Sequence, residues 1–178
     1  MSPAHAGTRH TAPMAGVDPN REAVERADAI LRSTQEPVID DPTVFVKGAA
    51  LGALTLVELA KLGQARSQDA RLRSVAAGIR RDQEALQAEL VTVAGRKRLD
   101  VPNALIYEDE QILAQGRGKE GAVFDAWFLE RSIAELWKGI ALFELAEKMK
   151  DVQLAAFAKK MRPMLEEDRR KAAALQSN

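Results

Sequence analysis

The chain has 178 residues, of which 46% are hydrophobic, 29% charged and 4% aromatic. Its 26 basic residues equal its 26 acidic residues in number, so no net charge attracts nucleic acid or anionic lipid. Cysteine is absent, which excludes disulfides, thiolate catalysis and cysteine-based metal sites. The length suits one domain, and the abundance of Ala, Leu, Lys, Arg and Glu favours an all-helical fold.

The N-terminal part predicts two segments before the main body. Residues 1–20 contain Pro, Gly and Thr but no apolar core of a signal peptide, so we expect a flexible tail. Both histidines, His5 and His10, fall in this tail and are interpreted as solvated side chains. Residues 21–42 predict a short helix over 21–33 and then a linker, because Pro37 and Pro42 interrupt helical structure.

Residues 43–67 predict the first long helix. Apolar or small residues recur there at alternating steps of four and three, which is the spacing of a buried helix face. We call such a face a core stripe; here it comprises Phe45, Ala49, Gly52, Leu56, Leu59 and Gly63. The most apolar stretch, residues 48–57, is about half of the roughly 20 residues that a membrane span requires. We therefore expect a buried helix and no transmembrane segment.

Asp69 is the expected N-cap of a second helix that extends to about Lys97. Its core stripe is apolar except for Gln83. A third helix is predicted over residues 122–149, with a wholly apolar stripe that includes Leu136. The two stripes comprise Leu72, Ala76, Ile79, Gln83, Leu86, Leu90 and Val93, and Leu129, Ile133, Leu136, Ile140 and Phe143.

Asp151 is the expected N-cap of a fourth helix that extends to about Gln176, with Pro163 as a predicted kink. One acidic residue, Asp168, interrupts its apolar stripe. The stripe comprises Leu154, Ala158, Met161, Leu165, Asp168, Ala172 and Leu175. Gln83 and Asp168 are thus the two polar residues on otherwise apolar faces.

The spacing of the helices predicts an antiparallel four-helix bundle over residues 43–178. Few residues separate the first helix from the second, or the third from the fourth, so each pair is expected to form an antiparallel hairpin. Residues 98–121 are long enough to cross the bundle, with a short helix around 104–114 and a flexible stretch at 116–121. One long crossover between two hairpins is the ferritin-like connection.

The sequence offers few groups for catalysis or metal binding. No Glu-x-x-His pair of the ferritin-like di-iron type occurs, and no phosphate-binding glycine loop is present. Most acidic residues, including Glu58, Glu135 and Glu144, fall off the core stripes or at their edges, so we expect solvated charges. Gln83 and Asp168 either hydrogen-bond each other, an arginine or water, or line a polar pocket or weak metal site.

Several segments together resemble the bacterial family known as domain of unknown function 4142. The resemblance covers about residues 44–175 and rests on FVKGAALGALTLVELAKL, on VFDAWFLERSIAELWKGIALFELAEK with Phe124 and Asp125, and on the segment from Met161 to Leu165 that contains Pro163. It implies a ferritin-like bundle. Family members are typically exported, which implies a periplasmic or cell-envelope location; without a visible signal peptide, a cytoplasmic location stays open.

In that family, a Glu on the first helix and His residues on the other three resemble a metal-ligand set. Without gaps these positions fall here on Leu56, Gln83, Leu136 and Asp168. A shift of two residues would place Glu58 instead of Leu56, and Glu144 is a further reserve ligand. The resemblance therefore implies a degenerate core site, with no confident metal ligand, no catalytic residue and no cofactor.

Three functions follow as hypotheses. The first is a non-enzymatic structural or interaction protein, with an unknown protein partner or self-association. The second is a metal-binding or stress-related ferritin-like protein with an atypical carboxylate site of Glu58, Gln83, Asp168 and Glu144, which would suit hard cations. The third is binding of lipid or another small apolar ligand inside the bundle, which requires a cavity.

Overall fold

The computed structural model describes residues 16, 18–33 and 35–178. Within these ranges the chain forms six α-helices and no strand, which confirms the all-helical prediction. Most of the predicted tail, including His5 and His10, lies outside the described residues. The helices are α1 (Pro19–Leu31), α2 (Pro42–Arg66), α3 (Ala70–Arg96), α4 (Tyr107–Arg117), α5 (Gly121–Ala146) and α6 (Val152–Gln176).

Aspartate side chains fix the starts of four helices. Asp69 accepts hydrogen bonds from the backbone N–H groups of Arg71 and Leu72, at 2.8 and 3.4 Å, and Asp151 caps α6 in the same way. Both predicted caps are confirmed. Asp18 and Asp41 cap α1 and α2, each followed directly by a proline that needs no hydrogen-bond acceptor.

The four long helices contact one another in a ring. α2 packs against α3 and α5, and α6 packs against the same two helices. Lys97 Nζ lies 2.7 Å from Asp151 Oδ2, which joins the end of α3 to the start of α6. Arg66 donates to the carbonyl oxygen of Lys119 at 2.9 Å, which joins the end of α2 to the start of α5. Neighbouring helices in the ring are therefore antiparallel, and residues 98–120 run along the length of the molecule.

α1 and α4 lie outside this ring, and each contacts α2 and α5. The predicted short helix over 104–114 is observed three residues later, as α4, so Gly116 is helical and buried rather than part of a flexible stretch. A Cβ atom at Gly116 would overlap the indole ring of Trp127, so the missing side chain brings α4 against α5. Glycine at position 116 therefore indicates close packing of two helices and not a flexible chain.

α2 is more apolar over its length than residues 48–57 alone suggest. Its 25 residues are long and apolar enough to cross a membrane, but 67% of the most apolar window is buried against other parts of the chain. Phe45 of α2 contacts the rings of Phe143 and Phe157, with centroids 5.3 and 6.3 Å away. The apolar character of α2 is thus used in internal packing, and it is no clear transmembrane segment.

Candidate functional site

The four positions that the family resemblance singles out lie on the four long helices, and all four side chains are buried. Leu56, Gln83, Leu136 and Asp168 are each exposed by 2% or less. Leu56 and Leu136 bring hydrocarbon to these positions. The polar atoms at this set of positions therefore come from Gln83 and Asp168 alone.

Gln83 and Asp168 are neighbours across the α3–α6 contact. Burial and then the negative charge of nearby Asp82 raise the pKa of Asp168 to about 7, while Gln83 and Lys171 oppose this rise. The Nε2 atom of Gln83 and the Oδ2 atom of Asp168 have no hydrogen-bond partner among the described residues. Burial and the neighbouring carboxylate therefore keep the Asp168 carboxyl largely in its neutral form at moderately acidic pH.

Neither reserve acid is buried as Gln83 and Asp168 are. Glu58 forms an ion pair with Lys61, 2.6 Å between Oε1 and Nζ, and its side chain is partly exposed. Glu144 faces solvent. Across residues 18–33 and 35–178, no three acidic or imidazole side chains come together in a way that could hold a metal ion.

A partly open cavity of about 70 Å³ lies beside the core positions. Leu56 and Gln83 both line it, and every one of the six helices contributes to its wall. Most of the wall is hydrocarbon, from Ala49, Ala53, Leu86, Leu142, Phe143 and Leu165. A cavity of the kind that a ligand-binding function requires is thus present where α1 and α4 cover the ring.

One side of this cavity is polar. Asp109 from the first turn of α4 and Glu135 from α5 line it together with Thr55 and Lys138. Glu135 is 5% exposed, and its carboxylate lies 3.3 Å from Lys138 Nζ and 3.7 Å from an Arg131 nitrogen. Burial raises the pKa of Asp109; Glu135 adds to the rise, whereas Thr55 and Lys138 act against it. The expectation that Glu135 is solvated is therefore wrong.

Sequence periodicity missed Thr55, Asp109 and Glu135 because their burial depends on α4 and α1. The Thr55 hydroxyl donates a hydrogen bond to the carbonyl oxygen of Leu51 at 2.9 Å, within the same helix. Its donor therefore needs no partner from another helix. Glu135 precedes Leu136 on α5 and faces the side that α1 covers. One sequence feature could have pointed to these residues: Thr55 and Glu135 each directly precede a core position, Leu56 and Leu136.

The comparisons with known proteins agree with the sequence resemblance. A model of the family described as Domain of unknown function (DUF4142) matches residues 28–175, well over half of the chain. Neither the curated proteins nor the solved structures gave a match. The matched range begins within α1 and ends within α6, and it includes every residue that lines the cavity except Val24 and Ala27. The chain therefore belongs to the DUF4142 family.

Proposed function

We propose that this chain is a non-enzymatic, ferritin-like helical bundle with a degenerate core site and a structural or protein-interaction role. The antiparallel ring of α2, α3, α5 and α6 and the long connection over residues 98–120 support the ferritin-like layout. In this proposal residues 43–178 form the bundle, with a crossover over 98–121. Residues 21–42 form the short helix and linker that precede the bundle, and most of the predicted segment 1–20 lies outside the described residues.

The observation that carries the proposal is hydrocarbon at two of the four core positions. Leu56 and Leu136 are exposed by 2% and 0%, so both side chains occupy the interior where ligands would have to converge. One carboxylate and one amide are too few protein ligands for a transition metal. Replacing ligands by leucine also removes the cost of burying charge, which favours a stable bundle over a reactive one.

Restoring the family's ligand types tests this proposal. We would prepare Leu56→Glu combined with Gln83→His, Leu136→His and Asp168→His, and measure metal content by mass spectrometry beside the wild type. We expect a metal-free wild type that is folded by circular dichroism, and a variant that retains Zn²⁺ or Fe²⁺. Stoichiometric metal in the wild type would contradict the proposal, as would metal loading that is unchanged in the variant.

The interaction role has its own test. Trp137 is 53% exposed and lies under the Arg169 guanidinium, 4.3 Å from its ring centroid, so it offers an aromatic anchor to a second protein surface. Sedimentation velocity of the wild type with and without a chelator measures whether association depends on metal. We expect self-association that survives the chelator and weakens in Trp137→Ala, with Val152→Ala as the control at another exposed apolar position.

A metal-binding or stress-related role is the second candidate, because Asp82 adds a carboxylate beside Asp168 and Gln83 that the sequence had not indicated. Oxygen ligands of this kind suit hard cations such as Mg²⁺ or Mn²⁺. This candidate predicts bound metal in the wild type that is lost in both Asp168→Ala and Asp82→Asn. Equal metal content in the wild type and the two variants would contradict it.

A further inference from the structure

Beyond this role, we propose that this cavity binds a short amino alcohol, with the ammonium group between Asp109 and Glu135 and the hydroxyl at Gln83. The three side chains come from α4, α5 and α3, and all line the same cavity. Most of the remaining lining is hydrocarbon, which matches a ligand with an apolar middle and a polar group at each end. The site shares Leu56 and Gln83 with the metal-ligand positions and adds Asp109 and Glu135.

The size of the cavity limits the ligand. Its volume of about 70 Å³ is roughly half of the 150 Å³ or so that accommodates benzene in an engineered apolar cavity. Since benzene has six heavy atoms, the cavity encloses about three, and a four-atom molecule such as ethanolamine fits with one end towards the opening. The partly exposed Lys138 and Asp28 side chains also line the cavity, so it reaches solvent beside them.

The charges on the wall favour a cation. Three carboxylates line the cavity, and two of them have basic partners: Asp28 pairs with Arg32 at 3.5 Å, and Glu135 with Lys138 and Arg131. Asp109 forms no ion pair with any described residue. An ammonium group placed between Asp109 and Glu135 supplies the missing positive charge in a partly desolvated setting, where charge-assisted hydrogen bonds are strong.

The Gln83 amide in the cavity wall requires an acceptor. Gln83 is 1% exposed, and its Nε2 atom has no hydrogen-bond partner among residues 18–33 and 35–178. The amide nitrogen carries two hydrogens, so a cavity ligand can accept one of them and leave the other free. A ligand hydroxyl accepts from this nitrogen, which removes the cost of a buried unpaired donor. An alkylammonium without a hydroxyl leaves that donor unpaired.

Gly52 keeps the cavity open. A Cβ atom at this position meets no other atom within 4 Å, although Gly52 lies in the middle of α2 and lines the cavity. Glycine is less favourable than alanine in a helix interior, so local helix stability does not explain it. A larger side chain here projects into free space and fills the volume that the ligand would use.

The experiment is ligand titration followed by ¹H–¹⁵N correlation spectra of the full chain. Ethanolamine, propylammonium and 1-propanol are compared, because they differ in the ammonium and the hydroxyl at similar size. We expect ethanolamine to bind with a dissociation constant in the millimolar range, given so few heavy atoms, and to shift the side-chain amide signal of Gln83. Propylammonium and 1-propanol are each expected to bind at least about tenfold more weakly, since each lacks one polar contact worth about that factor.

Variants assign the contacts. Asp109→Asn is expected to weaken ethanolamine binding at least about tenfold while 1-propanol binding is unchanged, since one charge-assisted contact is lost. Gln83→Met is expected to remove the preference for ethanolamine over propylammonium. Gly52→Leu is expected to abolish binding of all three ligands, and Gly52→Ala to weaken it if the larger variant fails to fold.

Matched controls separate the site from general effects. Glu110→Gln removes one negative charge from the exposed side of the same α4 turn, and Gly78→Leu enlarges a helical glycine with open space outside the cavity. Both are expected to bind ethanolamine as the wild type does. Absence of ethanolamine binding in the wild type, or equal binding by wild type and Asp109→Asn, would overturn the proposal.

Discussion

Asp168 is a carboxyl group that the fold holds in a setting unfavourable to its charge. It ionises near 3.8 in the unfolded chain, whereas burial and the adjacent Asp82 raise its pKa to about 7 in the folded protein. Between these two values the folded chain binds a proton that the unfolded chain does not. Its contribution to the free energy of unfolding is therefore fully present below about pH 4 and is lost as the pH rises to about 7.

We expect Asp168→Asn to flatten this part of the pH profile and to be more stable than the wild type at about pH 8, by about 1–3 kcal/mol, because the variant buries no charge. Urea unfolding at about pH 5 and about pH 8 measures the difference. Glu130→Gln, at an exposed position on α5, is the control and should leave the profile unchanged. A wild type that gains stability from pH 5 to pH 8 relative to Asp168→Asn would refute the argument.

At the residue scale, the sequence predicted the polar residues that a helical period can reveal. Gln83 and Asp168 interrupt apolar stripes, and both prove to be buried. Two other acidic residues lie directly beside a core stripe, Asp82 and Glu135, and a third, Asp109, lies on the short helix α4. The surroundings of all three depend on which helix covers them. Such coverage is a tertiary property and leaves no trace in the spacing of one segment.

At the element scale, the contact of α4 with α5 depends on the absence of one side chain. We expect Gly116→Ala to destabilise the protein by about 1–3 kcal/mol, because Trp127 must shift to avoid overlap with the new methyl group. Gly118→Ala is the control: its Cβ would lie 3.6 Å from the Gln115 carbonyl oxygen, which is an ordinary contact. Thermal unfolding and the near-ultraviolet circular dichroism of tryptophan measure both variants, and equal stabilities would contradict this account.

Helix starts were predictable because capping is a local interaction. Asp69 and Asp151 lie where they were expected, and each bonds two backbone N–H groups of its own helix. The extent of α4 was predicted less well, since its first turn has no side-chain cap and its glycine faces Trp127. The end of α3 also departs from the usual pattern: Arg98 adopts a left-handed conformation, φ 55°, where glycine is common.

At the scale of the whole molecule, three phenylalanines connect three of the long helices. Phe45 of α2, Phe143 of α5 and Phe157 of α6 contact one another, with ring centroids 5.3–6.3 Å apart and tilted or edge-on rings. This cluster fixes the positions of α2, α5 and α6 relative to one another. Its aromatic contacts add to the hydrophobic stabilisation of the core.

We expect Phe143→Ala to lower the free energy of unfolding by about 3–5 kcal/mol, because it removes a buried ring that touches both partners. Urea unfolding measures the loss. Val123→Ala, at a side chain that is 65% exposed, is the control and should change stability by less than about 0.5 kcal/mol. A loss of less than about 1 kcal/mol for Phe143→Ala would show that the cluster does not hold the helices together.

The antiparallel pairing of successive long helices could be predicted from their short connections. Which faces of the ring α1 and α4 cover could not be predicted in this way. The turns at residues 67–69 and 147–151 are so short that the next helix must run antiparallel to the previous one. In contrast, α1 is separated from α2 by ten residues that include Pro37, and many positions on the ring were open to it. The cavity forms where α1, α4 and the ring meet, so its existence could not be read from any one segment.

The antiparallel order of the ring also determines the electric field inside the molecule. Each long helix has a partial positive charge at its N-terminus and a partial negative charge at its C-terminus, and each such end lies beside the opposite end of both neighbours. The dipoles of α2, α3, α5 and α6 therefore largely cancel along the common axis. The field in the cavity is therefore set mainly by the charged side chains that line it, Asp28, Asp109, Glu135 and Lys138, so single substitutions there should change which charge the cavity favours.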